Sequence, residues 1–189
     1  MPKRYFDLAD DVYVPGRWDL GHPGDSQGQE VDDLWQFTEG QPVSVTGRLR
    51  IPVEGPGRAL DYSHAGFSTP VVRANVANIF SKLAPDDVQL ISVDVEGQPE
   101  QYSILVATRL IRCIDDERST EVRYWMPEDD RPEIVGQYRS VYRLRIDPSK
   151  VGDARVFRTW GWPVALIVSE DIKTALERAK VTGVRFTEV

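Results

Sequence analysis

Two stretches of the chain carry one pattern. Residues 70–93, PVVRANVANIFSKLAPDDVQLISV, and residues 166–189, LIVSEDIKTALERAKVTGVRFTEV, each read as an apolar strand, an amphipathic helix and a second strand. In the first, Val72, Val76, Ile79, Phe80 and Leu83 recur at helical spacing, which predicts a helix from about Arg73. The Ala-Pro-Asp-Asp that follows stops it, and VQLISVDV resumes strand alternation through Ile91, Val93 and Val95. In the second, Ser169 stands at the N-cap, with Glu170 and Asp171 in the first turn, where the helix dipole favours anions. Ile172, Ala175, Leu176 and Ala179 form the apolar stripe, and Gly183 supplies the turn into VRFTEV. A helix with one apolar stripe must bury it against another element, so the chain is confined to layered folds that combine helix and sheet. Two copies are too few for a solenoid, and they predict two similarly used strand–helix–strand modules on one sheet.

The intervening sequence is rich in strand signals. PVSVTGRLRIPV places Val43, Val45, Leu49, Ile51 and Val53 on one alternating face, as a half-buried strand would. YSILVATRLIRCI, residues 102–114, is apolar on both faces and reads as a long central strand. A short strand is expected at residues 122–125 and another in ARVFRTW, while YRSVYRLRID alternates into a strand with a basic outer face. The resulting expectation is an α+β fold with a mixed or largely antiparallel sheet and two main helices, preceded by an acidic, loop-rich N-terminal segment. With 189 residues, one domain suffices: an acidic portion over residues 1–60 and a core over residues 68–189.

The acidity is concentrated. Residues 7–39 hold nine acids against one base, Arg17, interleaved with Tyr13, Trp18, Trp35 and Phe37. Within them PGRWDLGHPGDSQGQ is a glycine- and proline-rich loop, longer than compact domains usually carry without a functional reason. The formal net charge of −7 disfavours adhesion to nucleic-acid phosphates or anionic lipid and favours a basic partner. Tryptophan and tyrosine anchor protein interfaces, and complementary charge speeds encounter. The candidate partner-binding residues are therefore Trp18 and Asp19 in the loop, Asp32, Asp33 and Trp35 after it, and Trp125, Glu128, Asp129 and Asp130 in a later acidic loop.

Reactive constellations are sparse. His22, His64 and Cys113 show no paired metal-ligand spacing, PEDDRPE lacks the ladder of a calcium loop, and EGPGRALD is not a phosphate loop. No cofactor or metal is implied. Cys113 lies in an apolar run and reads as a small buried hydrophobe; as a lone cysteine it excludes an internal disulfide and suits a reducing compartment. The N-terminus lacks a signal-peptide apolar core and no apolar stretch approaches membrane-spanning length, so a soluble, cytoplasmic protein is expected. His64, in LDYSHAGF beside Asp61 and Tyr62, keeps open the alternative of a small hydrolase or transferase; a ligand-binding regulatory module is the other.

PVVRANVANIFSKLAPDDVQLISVDV, YSILVATRLIRCIDDERS and VFRTW followed by ALIVSEDIKTALERAKVTGVRFTEV together resemble the frame of a bacterial immunity-protein family from polymorphic toxin systems, whose founding member is myxobacterial. The resemblance covers residues 68–189 and is most specific in Ser-Glu-Asp-Ile-Lys with Thr-Gly-Val-Arg-Phe. It implies a protein that binds and neutralises a cognate toxin, with no catalytic residues to carry over. The acidity adds the expectation of a basic, nucleic-acid-acting toxin such as a nuclease, whose active site or substrate path is covered.

Overall fold

The computed structural model describes residues 3–189. In chain order the strands are β1 (Tyr5–Asp10), β2 (Asp19–Leu20), β3 (Leu49–Ile51), β4 (Val53–Gly55), β5 (Tyr62–Ala65), β6 (Thr69–Arg73), β7 (Val88–Val95), β8 (Tyr102–Ala107), β9 (Leu110–Ile111), β10 (Thr120–Tyr124), β11 (Tyr138–Tyr142), β12 (Val156–Thr159), β13 (Trp162–Ser169) and β14 (Val184–Glu188). Helix α1 (Ala74–Leu83) joins β6 to β7, and α2 (Glu170–Arg178) joins β13 to β14. One five-stranded sheet has the order β3-β7-β8-β6-β5 and another the order β14-β1-β13-β12-β9; β10 with β11 and β2 with β4 form two-stranded ribbons. The fold is α+β with mixed, mainly antiparallel sheets.

The two echoing stretches are built alike, but on different sheets rather than on one. β6 and β7 both run antiparallel to β8 between them. β13 and β14 both run antiparallel to β1 between them. Each helix thus crosses over one strand, and each unit begins with an antiparallel hairpin, β5–β6 or β12–β13. Even the helix starts match: Arg73 (φ −72°, ψ 161°) and Ser169 (φ −74°, ψ 162°) are both extended N-caps. The Ser169 hydroxyl makes no cap bond and donates instead to the Asp171 carboxylate. Two modules mean two apolar stripes to bury. α1 and α2 pack on each other, and Val76, Phe80, Ile172 and Leu176 meet Val72 and Leu105 of one sheet and Phe6, Leu8, Leu166 and Val168 of the other.

Three further expectations change. The apolar run at residues 102–114 is not one strand: β8 ends at Ala107, and the chain crosses at Thr108 and Arg109 to become β9 in the other sheet. Thr108 N–H donates to Asp87 O (2.8 Å) and Arg158 N–H to Arg109 O (2.9 Å), so the crossing keeps its backbone bonds. Cys113 is buried, as read, but lies beyond the strand. The alternation at residues 43–53 breaks into β3 and β4 around Pro52, which has no N–H to give a ladder. Val43 is held instead by a side chain: Gln89 Oε1 accepts its N–H (2.8 Å) and Gln89 Nε2 donates to its carbonyl (2.7 Å). The basic-faced strand stops at Tyr142, because Arg143 takes a left-handed turn (φ 45°).

Candidate partner-binding surface

The acidic stretch folds by using some of its acids internally. Asp10 is buried and pairs with Arg17 through two bonds of 2.7 and 2.9 Å. Asp25 closes a turn, its Oδ1 accepting the N–H of Gln27 (2.8 Å) and Gln29 (2.9 Å), and Gly28 follows in the left-handed conformation (φ 82°). Gly24 and Arg50 exchange backbone bonds of 2.8 Å, tying this loop to β3. Asp33 Oδ1 accepts the Trp35 N–H (3.0 Å) and so caps a 3-10 turn over Leu34–Thr38. Phe37 drops from that turn into the core, and Trp35 is left 57% exposed.

The outcome is an open groove of about 470 Å³ walled by Asp25, Glu30, Asp32 and Asp33, with no lysine or arginine among the described residues of its wall. Trp35 follows it on the same short turn. Its ring stands edge-on to Phe67, 4.6 Å between centroids, and Phe67 lies against His22 at 5.0 Å. Phe67 and Ser68 are both left-handed (φ 57° and 55°), an arrangement non-glycine residues adopt at a cost. Glu30, Asp25 and Phe67 were not among the expected site residues. The first two carried only the general acidic signal, and Phe67 is brought to Trp35 by the β5–β6 connection.

Trp18 is a correction. It is 1% exposed, packs against Tyr102 and donates its indole N–H to Ser63 Oγ (2.8 Å), so it belongs to the core beneath the loop. Its neighbour Asp19 alternates outward on β2 and is exposed. The second expected patch is not simply acidic. Trp125 is partly buried, with the guanidinium groups of Arg139 and Arg131 at 5.1 and 5.9 Å from its ring. Asp129 accepts from Met126 N–H (2.9 Å) and pairs with Arg139 (2.8 Å), while Glu128 and Asp130 are exposed. This loop rises from the β10–β11 ribbon and the groove lies against β3, so the two sets of candidates occupy different parts of the fold.

His64 does not meet Asp61. The Asp61 carboxylate accepts the N–H (2.9 Å) and hydroxyl (3.0 Å) of Thr182 and pairs with Arg73 (3.1 Å), locking the turn before β14 to β5. His64 lies 3.2 Å from the Tyr62 hydroxyl, and its backbone N–H donates to Asp10. Burial, only partly opposed by Asp10, pushes the imidazole down to about 4, so it is neutral near pH 7. Of the two partners that the hydrolase or transferase alternative gives His64, Tyr62 is within reach and Asp61 is not.

Four acids of the N-terminal segment thus line an open groove on an α+β scaffold, and the exposed Trp35 stands on the turn beside it. The chain belongs to the immunity protein family (Imm11), which it matches over residues 52–189. That family ties it to toxin neutralisation. No curated protein matches the chain, and no helix among the described residues is long and apolar enough to cross a membrane.

Proposed function

We propose that the chain neutralises its toxin by direct, non-catalytic binding in the cytoplasm, and that the contact is made by the groove of Asp32 and Asp33 with the Trp35 ring. The observation that carries this is an acidic wall without internal counter-charge next to an exposed indole. Such a surface attracts a basic partner and offers it an anchor. A basic toxin acting on nucleic acid, such as a nuclease, fits best, because carboxylates can occupy the track meant for phosphates and so cover the active site or substrate path. The groove precedes the family-matched residues 52–189, which supports reading the shared frame as scaffolding and the preceding segment as the part that chooses the toxin. Asp19, exposed on β2, is a further acidic contact outside the groove, and Trp125 with Glu128, Asp129 and Asp130 offers a second contact of mixed charge.

The test is a pull-down of the tagged chain from its host, with mass spectrometry of whatever co-purifies in near-equal amount. One basic protein with a toxin-like domain is expected. Asp32→Lys and Trp35→Ala should each weaken that complex by about 1–2 kcal/mol or more and leave the thermal midpoint nearly unchanged, since both side chains are exposed. An acidic toxin, or full binding by both variants, would overturn the assignment.

A further inference from the structure

β1 and β13 part company halfway. They pair from Tyr5↔Ser169 to Asp7↔Ile167, yet β1 continues to Asp10 along β14 and β13 begins at Trp162 along β12. The fork holds a cavity of about 480 Å³, with Asp7 and Leu8 from one strand and Val164 and Leu166 from the other in its wall. His64 and Arg158 also line it, as do Arg143 and Arg145.

Arg158 is the unusual member. It is 2% exposed, and its Nη1 donates to the carbonyls of Pro163 and Val164, 3.0 Å each. Among the described residues, its Nε and Nη2 meet no acceptor. Asp7 lies near enough to favour the charge of Arg158. Leaving donors of a buried guanidinium unpaired is costly. The two free nitrogens are not arbitrary, because Nε and Nη2 form the side-on edge of the guanidinium, the edge that grips a carboxylate through two parallel bonds.

We propose that this fork is a binding site for a small organic acid, its carboxylate held bidentate by the Nε/Nη2 edge of Arg158, with Arg143 and Arg145 adding positive charge. Both nitrogens are closed to water in this conformation, so the acid reaches them by displacing the side chains that cover them, and the cavity beside them has room for more than one carboxylate. The site uses none of the acidic groove, so it stands or falls apart from toxin binding.

The experiment is a titration of the full chain with succinate at low ionic strength, followed through the NMR resonance of the Arg158 Nε–H and through the thermal midpoint. A saturable shift of that resonance with a rising midpoint is expected, with acetate giving a weaker response and sodium chloride none. Arg158→Lys, which keeps the charge without the fork, should bind succinate at least about tenfold more weakly. Should that variant fail to fold, the wild-type resonance decides. No saturable shift, a shift equally produced by chloride, or undiminished binding by a folded Arg158→Lys would overturn the proposal.

Discussion

At the scale of residues, Asp7 and His64 set up opposed pH effects inside one wall of the molecule. Burial raises Asp7 to about 6 despite the nearby charges of Arg158 and Arg185, whereas it lowers His64 to about 4. On acidification from pH 7, the unfolded chain protonates its histidine near 6.5, which the folded chain refuses, and stability falls. Over the same range the folded chain protonates Asp7, which the unfolded chain does only near 4, and stability rises. The two largely cancel between about pH 4 and 6.5. Asp7→Asn should therefore raise stability near pH 7 by about 1–3 kcal/mol, a gain that vanishes below about pH 4, and should make stability fall more steeply between pH 6.5 and 4 than in wild type. Urea midpoints at pH 7, 5.5 and 4 check this; identical profiles for the two proteins would contradict it. None of this was legible in the sequence, where Asp7 was one of nine acids and its environment comes from strands more than a hundred residues away.

At the scale of elements, helices were easier to read than strands. An amphipathic stripe at a spacing of three and four is local, so α1 and α2 follow from their own residues. β1 shows why strands were harder: Tyr5, Phe6 and Leu8 are buried on two opposite faces, so no alternation marks it. Residues 102–114 fail in the opposite way, since continuous apolarity conceals a change of sheet. The connection between β5 and β6 carries a prediction of its own. Ser68 is exposed and left-handed, so Ser68→Gly should relieve strain and raise stability by roughly 0.5–1 kcal/mol, read as a higher thermal midpoint. A lower midpoint would mean that the serine side chain is required there.

At the scale of the whole molecule, the two modules differ in where their middle strand comes from. In the first, β8 follows β7 directly, whereas in the second the equivalent place beside β14 is filled by β1, from the opposite end of the chain. Val189 consequently meets the start of β1: its N–H donates to Tyr5 O (3.1 Å). A circular permutant that joins residue 189 to residue 3 through a short glycine-rich turn, with new ends in the exposed stretch at Val12 and Tyr13, should fold with stability within about 1 kcal/mol of the original. Deleting residues 1–10 removes an inner strand that pairs on both edges and should prevent folding. Circular dichroism and urea unfolding distinguish the two, and a permutant that fails while the deletion folds would refute the equivalence of β1 and β8.

By itself the sequence determined the helices, the β-rich remainder, the family frame and the concentration of acid, because periodicity, capping and charge are properties of neighbouring residues. The tertiary structure decided which acids are free. Asp10 went to Arg17 and Asp25 to a turn, Asp32 stayed at the groove, and Trp18 and Trp35 were sent to opposite fates by one strand pairing and one 3-10 turn. It also decided that the two modules occupy two sheets and that a fork opens between β1 and β13. Such outcomes depend on contacts between residues far apart in the chain, and no local pattern encodes them.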